Sequence, residues 1–107
     1  MKWIKKYNNE IQNLCNEHKV KELYLFGSAL TDRFTKSSDI DLLVQFDPFN
    51  VYEYFDNYMD LKEKLEKLFE RRVDLVENQA IKNPIFRESV DRAKVLIYER
   101  RNSEVSI

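Results

Sequence analysis

This chain of 107 residues has one cysteine, one glycine, two prolines and no surplus of either charge. The lone Cys15 cannot form an intrachain disulfide and suits a reducing compartment. It falls in an apolar helical pattern with no obvious base beside it, which reads as an inert, partly buried thiol. Eighteen basic and nineteen acidic residues leave a net charge of −1, so nothing electrostatic favours nucleic acid as the main partner. No apolar run approaches membrane-spanning length. The start, Met-Lys-Trp-Ile-Lys-Lys-Tyr, is too polar for a signal-peptide core. A cytoplasmic protein without a membrane anchor is the plain expectation. Repeats and low-complexity segments are missing too.

What is present is enough for one domain, residues 1–107, with 43% hydrophobic and 13% aromatic residues. Ile4, Tyr7, Ile11, Leu14 and His18 recur at steps of three and four, predicting a first helix over about residues 2–18. Glu22–Phe26 is a strand stopped by the turn at Gly27, and Ser28-Ala29-Leu30 could open a brief helix. Thr31–Ser38 reads as a loop and Asp39–Phe46 as a second strand, ended by Asp47-Pro48. Val51, Phe55, Tyr58, Leu61, Leu65 and Leu68 predict a helix over about residues 50–69. Arg72–Glu77 is a third strand, Asn83-Pro84 opens a helix to about Arg92, and Val95–Tyr98 is a fourth strand. The tail from Arg100 is expected to fray. This order predicts an α/β (α+β) domain, with a small mixed sheet of about four strands and helices packed on it.

The chemistry is concentrated between Gly27 and Val44. Asp39 and Asp41 stand two apart in a strand-like segment, so both carboxylates leave the same face. Like charges so placed repel unless a cation sits between them. Hard oxygen ligands suit Mg²⁺, which takes one or two carboxylates together with substrate phosphates. Gly27-Ser28 offers a small turn where a triphosphate can approach the backbone. A third carboxylate, Asp74, interrupts an apolar strand between Val73 and Leu75. Beside the Asp39–Asp41 strand it would complete a two-metal centre for in-line displacement at phosphorus. Alternatively, Asp74 lies on an edge strand, facing solvent or paired with Arg71 or Arg72.

Taken together, Gly27-Ser28, Asp39-x-Asp41 and the later strand residue Asp74 resemble the nucleotidyltransferase superfamily that includes DNA polymerase beta and kanamycin nucleotidyltransferase. The short length points to its minimal nucleotidyltransferases, with the likeness covering about residues 20–99. The resemblance implies the nucleotidyltransferase fold, with nucleotide phosphates contacted by Gly27 and Ser28. It implies two divalent metals, Mg²⁺, held by Asp39, Asp41 and Asp74, with Asp74 helping to activate the acceptor hydroxyl and ATP as co-substrate. Many relatives carry Arg-Gly where this chain has Thr31-Asp32; Arg33 or Lys36 could stand in, or be solvated loop charges.

Minimal nucleotidyltransferases are often encoded beside HEPN-domain proteins as toxin–antitoxin pairs, and some transfer AMP to a tyrosine of the toxin. The resemblance therefore implies a protein adenylyltransferase acting as an antitoxin. A small-molecule hydroxyl acceptor such as an aminoglycoside, or an antitoxin that only masks its partner, are the other readings. A homo-oligomer stays open.

Two features lie outside this pattern. His18, the only histidine, cannot build a multi-histidine metal site and reads as a partly buried residue at a helix end. The aromatic group Phe46, Phe49, Tyr52, Tyr54, Phe55 and Tyr58 reads either as packing or as a partner surface or base-stacking platform.

Overall fold

A computed structural model describes residues 2–100. The chain runs α1 (Lys2–Lys5), α2 (Asn8–Glu17), β1 (Val20–Phe26), β2 (Ile40–Phe46), α3 (Val51–Phe69), β3 (Val73–Glu77), α4 (Pro84–Ala93) and β4 (Val95–Glu99). Short 3-10 turns follow β1 (Gly27–Leu30) and β3 (Asn78–Ala80). The four strands form one mixed sheet in the order β3-β2-β1-β4. β1 pairs antiparallel with β2 and β4, whereas β2 and β3 are parallel, joined by the crossover helix α3.

Strand alternation builds two unequal cores. Leu23 and Leu25 of β1, Ile40, Leu42 and Val44 of β2, and Val73 and Leu75 of β3 are buried on one face. They meet Ile11 and Cys15 of α2 and Leu61, Leu65 and Phe69 of α3. The opposite face is only partly covered. Phe26 and Leu43 pack there against Val90 of α4, with Tyr24, Leu30, Val76 and Ile81 around them. One face stabilises the domain; the other is left open for a cleft.

The elements begin and end for local reasons. Asn50 caps α3 by accepting from the Tyr52 N–H at 2.9 Å. Asn83 caps α4 by accepting from Ile85 at 2.8 Å and Phe86 at 3.1 Å, with Pro84 in the first turn. Such caps are worth about 1 kcal/mol each. With its only glycine placed elsewhere, the chain leaves α2 and α3 through the left-handed residues Lys19 (φ 59°) and Glu70 (φ 54°).

The first helix predicted over residues 2–18 is two. The Tyr7 N–H donates to Ile4 at 3.1 Å and the Ile11 N–H to Tyr7 at 2.9 Å, so the chain turns at Lys6-Tyr7. Tyr7 thereby sets its ring edge-on against Phe69, 5.1 Å between centroids. Tertiary packing of one aromatic overrides a continuous helical pattern. Strand β1 also starts earlier than predicted, at the fully buried Val20. Cys15 is fully buried, and burial pushes its thiol up to about 12. The predicted fraying concerns a tail whose residues 101–107 lie outside the described residues. No described helix is long and apolar enough to cross a membrane.

The aromatic group divides. Phe46, Phe49, Tyr54 and Tyr58 form a packed ladder with ring centroids 5.6–6.3 Å apart. Tyr52 and Phe55 are 90% and 68% exposed and take no part in it. His18 is buried at the end of α2. Its Nδ1 lies 2.7 Å from the Leu14 carbonyl and its Nε2 2.6 Å from Asp60 Oδ2 on α3. It ties two helices together.

Candidate active site

The site forms where β1 ends beside the start of β2. Antiparallel pairing sets Phe26 opposite Asp41, so the turn at Gly27 follows directly across from the carboxylate. Gly27 has φ +77°, a conformation that a residue with a Cβ adopts only with strain. A Cβ built there would lie 2.2 Å from Asp41 Oδ2 and 3.0 Å from its Cγ. The sole glycine is therefore where it is because the Asp41 carboxylate rests on its backbone. The sequence alone offers that turn to a phosphate; the fold also fills it with the Asp41 carboxylate.

Parallel pairing then brings in the third carboxylate. Asp41 of β2 is the register partner of Asp74 of β3, so the two side chains leave the same face of adjacent strands. Asp39, one residue before β2, is exposed. Burial, then the charge of Asp74, then that of Asp39 raise the Asp41 carboxyl above the ordinary carboxylate range. A hydrogen bond to the Ser28 backbone opposes them. The charges of Asp74 and Asp39 thus both act on Asp41, though Asp39 and Ser28 do not line the adjoining cleft. Asp74 does lie on an edge strand and is exposed, as the solvent-facing alternative has it, and among the described residues neither Arg71 nor Arg72 forms an ion pair with it. Arg71 donates to the carbonyls of Thr35 at 2.6 Å and Ser38 at 2.9 Å and stacks on Phe34, pinning the loop that delivers Asp39.

Around these residues lies a cleft of about 660 Å³. Gly27, Leu30 and Thr31 line one end, Asp41, Asp74 and Val76 the floor, and Phe86, Ser89 and Val90 of α4 one wall. The α4 wall was not foreseen, although the four-residue spacing of Phe86 and Val90 marks an inward-facing stripe. Ser28 lies in the 3-10 turn, whose end is held by Thr31 donating to the Ser28 carbonyl through both N–H (3.0 Å) and hydroxyl (2.9 Å). Arg33 and Lys36 are both exposed on the loop.

The donor set suits a hard divalent cation. Among the described residues no three acidic, histidine or cysteine side chains are gathered tightly enough to hold an ion unaided. Two neighbouring carboxylates, with the charge of a third acting on Asp41, match an ion that completes its shell with water and substrate phosphate.

The sequence model of the family "Polymerase beta, Nucleotidyltransferase" matches residues 9–103. The chain belongs to this nucleotidyltransferase family. A "Putative protein adenylyltransferase" of Methanocaldococcus jannaschii is 38% identical over 84 residues, covering 78% of this chain and 83% of the relative. "Protein adenylyltransferase MntA" of Thermococcus cleftensis is 33% identical, covering 71% and 82%. Among solved structures, a chain of a toxin–antitoxin crystal with AMP-PNP superimposes with a TM-score of 0.65 at 24% identity, covering 88% of this chain and 74% of that one. That likeness is one of fold. For a nucleotidyltransferase of this family, the turn at Gly27 and the aspartates on β2 and β3 are thus the place to look for chemistry.

Proposed function

We propose that this nucleotidyltransferase transfers AMP from ATP to a hydroxyl of a partner protein, a tyrosine of a HEPN-type toxin, and so acts as an antitoxin in the cytoplasm. The observation that carries the proposal is the register of Asp41 with Asp74 beside the Gly27-Ser28 turn, on the open face of the sheet. The names of the two protein adenylyltransferase relatives described above support the reaction, and the toxin–antitoxin crystal of a fold neighbour supports the partner.

Each residue has one task in this reading. The Gly27-Ser28 turn binds the phosphates of ATP through backbone N–H groups and the Ser28 hydroxyl. Asp39, Asp41 and Asp74 would hold Mg²⁺, two ions at full occupancy, which when bound neutralises the triphosphate charge. Asp74, the most exposed of the pair in register, faces the acceptor. The acceptor oxygen attacks the α-phosphorus, a new O–P bond forms, and the bond to the β-phosphate oxygen breaks. Pyrophosphate leaves, and the hydroxyl proton passes to a carboxylate or to water. A tyrosine hydroxyl has an ordinary pKa of about 10, so a nearby base is needed at neutral pH.

The test is incubation with ATP, Mg²⁺ and the protein encoded beside it, followed by mass spectrometry. AMP mass on a tyrosine of that protein is expected, lost with Asp41→Asn. Neutralisation of the toxin by Asp41→Asn without AMP transfer would mean masking by binding. AMP appearing only on a small hydroxylated compound would refute the antitoxin role.

A further inference from the structure

β3 is an edge strand, yet its free edge is not left bare beside Asp74. The Ile40 N–H donates to the Arg72 carbonyl at 3.0 Å, so Arg72 turns its carbonyl toward β2. Alternation along the strand then turns the main chain of Asp74 toward β2 and those of Val73 and Leu75 outward. One outward group of each residue is met from α3. Glu66 Oε2 accepts from the Val73 N–H at 2.9 Å, and the Tyr58 hydroxyl donates to the Leu75 carbonyl. A covered edge also resists pairing with other chains, which accounts for capping in general. Of the outward residues of β3, the two that are met, Val73 and Leu75, are those directly before and after Asp74.

We propose that Tyr58 and Glu66 are positioning residues, which clamp β3 from its outer edge and so hold the Asp74 carboxylate level with Asp41. The inference rests on the reading that Asp74 serves the acceptor side of AMP transfer. α3 supplies a rigid base for the clamp, because Leu61 and Leu65, between the two residues, are fully buried. Tyr54, one turn earlier, donates to the Glu77 side chain rather than to the strand backbone, and so serves as a built-in comparison.

The variants Tyr58→Phe, Glu66→Ala, Glu66→Gln and Tyr54→Phe are compared by two measurements on the whole chain. In AMP transfer, Tyr58→Phe and Glu66→Ala should each lower kcat about tenfold, since small misplacements of a reacting group are costly. KM for Mg-ATP should stay within about twofold, because the phosphate turn is untouched. Glu66→Gln keeps an acceptor oxygen and should retain the rate, as should Tyr54→Phe. Independently, amide exchange at Asp74 should quicken in Tyr58→Phe and Glu66→Ala and not in the other two. Unchanged exchange, or faster exchange with undiminished kcat, overturns the proposal. A wild-type protein that transfers no AMP would defeat the parent reading before any variant is made. The clamp would then stand or fall on exchange alone.

Discussion

The Asp41 carboxylate lies against the backbone of Gly27, so close that a Cβ at residue 27 would come within 2.2 Å of Oδ2. The turn at Gly27 and the Asp41 carboxylate are therefore one mechanical unit. Gly27→Ala meets both a steric clash and the strain of φ +77°. It should cost about 1–3 kcal/mol of stability. The same substitution in an Asp41→Ala background removes the clash and leaves the strain, so the two changes should be less than additive in urea unfolding.

The Asp41 carboxyl is raised by burial and by its acidic neighbours, which means the folded state holds that proton more tightly than the unfolded one. The penalty is absent below the unfolded pKa and fully felt once pH has risen past the folded pKa. Neutralising the group should therefore raise the melting temperature of the metal-free protein at pH 7. In acid, where Asp41 is protonated anyway, the gain should fade. Melting curves of Asp41→Asn against wild type from pH 3 to pH 7 give the comparison.

Mg²⁺ and nucleotide should stabilise the protein only together. Three neighbouring aspartates repel a triphosphate, and ligand binding to the folded state raises stability by mass action. A thermal shift with ATP should appear on adding Mg²⁺ and vanish with EDTA, Asp39→Asn or Asp41→Asn. Ser28→Ala should keep the shift in weakened form while lowering activity by about ten- to a hundredfold, the cost of one hydrogen bond to a charged group.

Asp60 carries the opposite sign. His18, then Lys64, hold its carboxyl below the ordinary range. The stability it contributes is present above its unfolded pKa and lost as pH falls through the folded one. Asp60→Asn should be less stable than wild type at pH 7, with the gap closing as pH falls below the ordinary carboxylate range in chemical unfolding. Activity at neutral pH should not change, since the α2–α3 tie lies on the face away from the cleft.

Much of this protein was legible from local pattern. The periods of α3 and of the four strands, the cap Asn83, and the Gly-Ser turn with its Asp-x-Asp pair all follow from interactions within a few residues. Period two places Asp39 and Asp41 on one face without any knowledge of the sheet. Strand order was a different matter. Whether Asp74 sits beside Asp41 or alone at an edge depends on the parallel register of β2 and β3, set by a helix and a buried core rather than by residues near Asp74. The answer was both at once: an edge strand, and paired in register. The break at Lys6-Tyr7, fixed by the contact of Tyr7 with Phe69, was hidden for the same reason. So were the Phe86–Val90 wall and the Tyr58 and Glu66 caps. Each joins residues distant in sequence, and one chain read alone carries periodicity but no distances. Local chemistry named the carboxylates; only tertiary packing could set Asp74 beside Asp41.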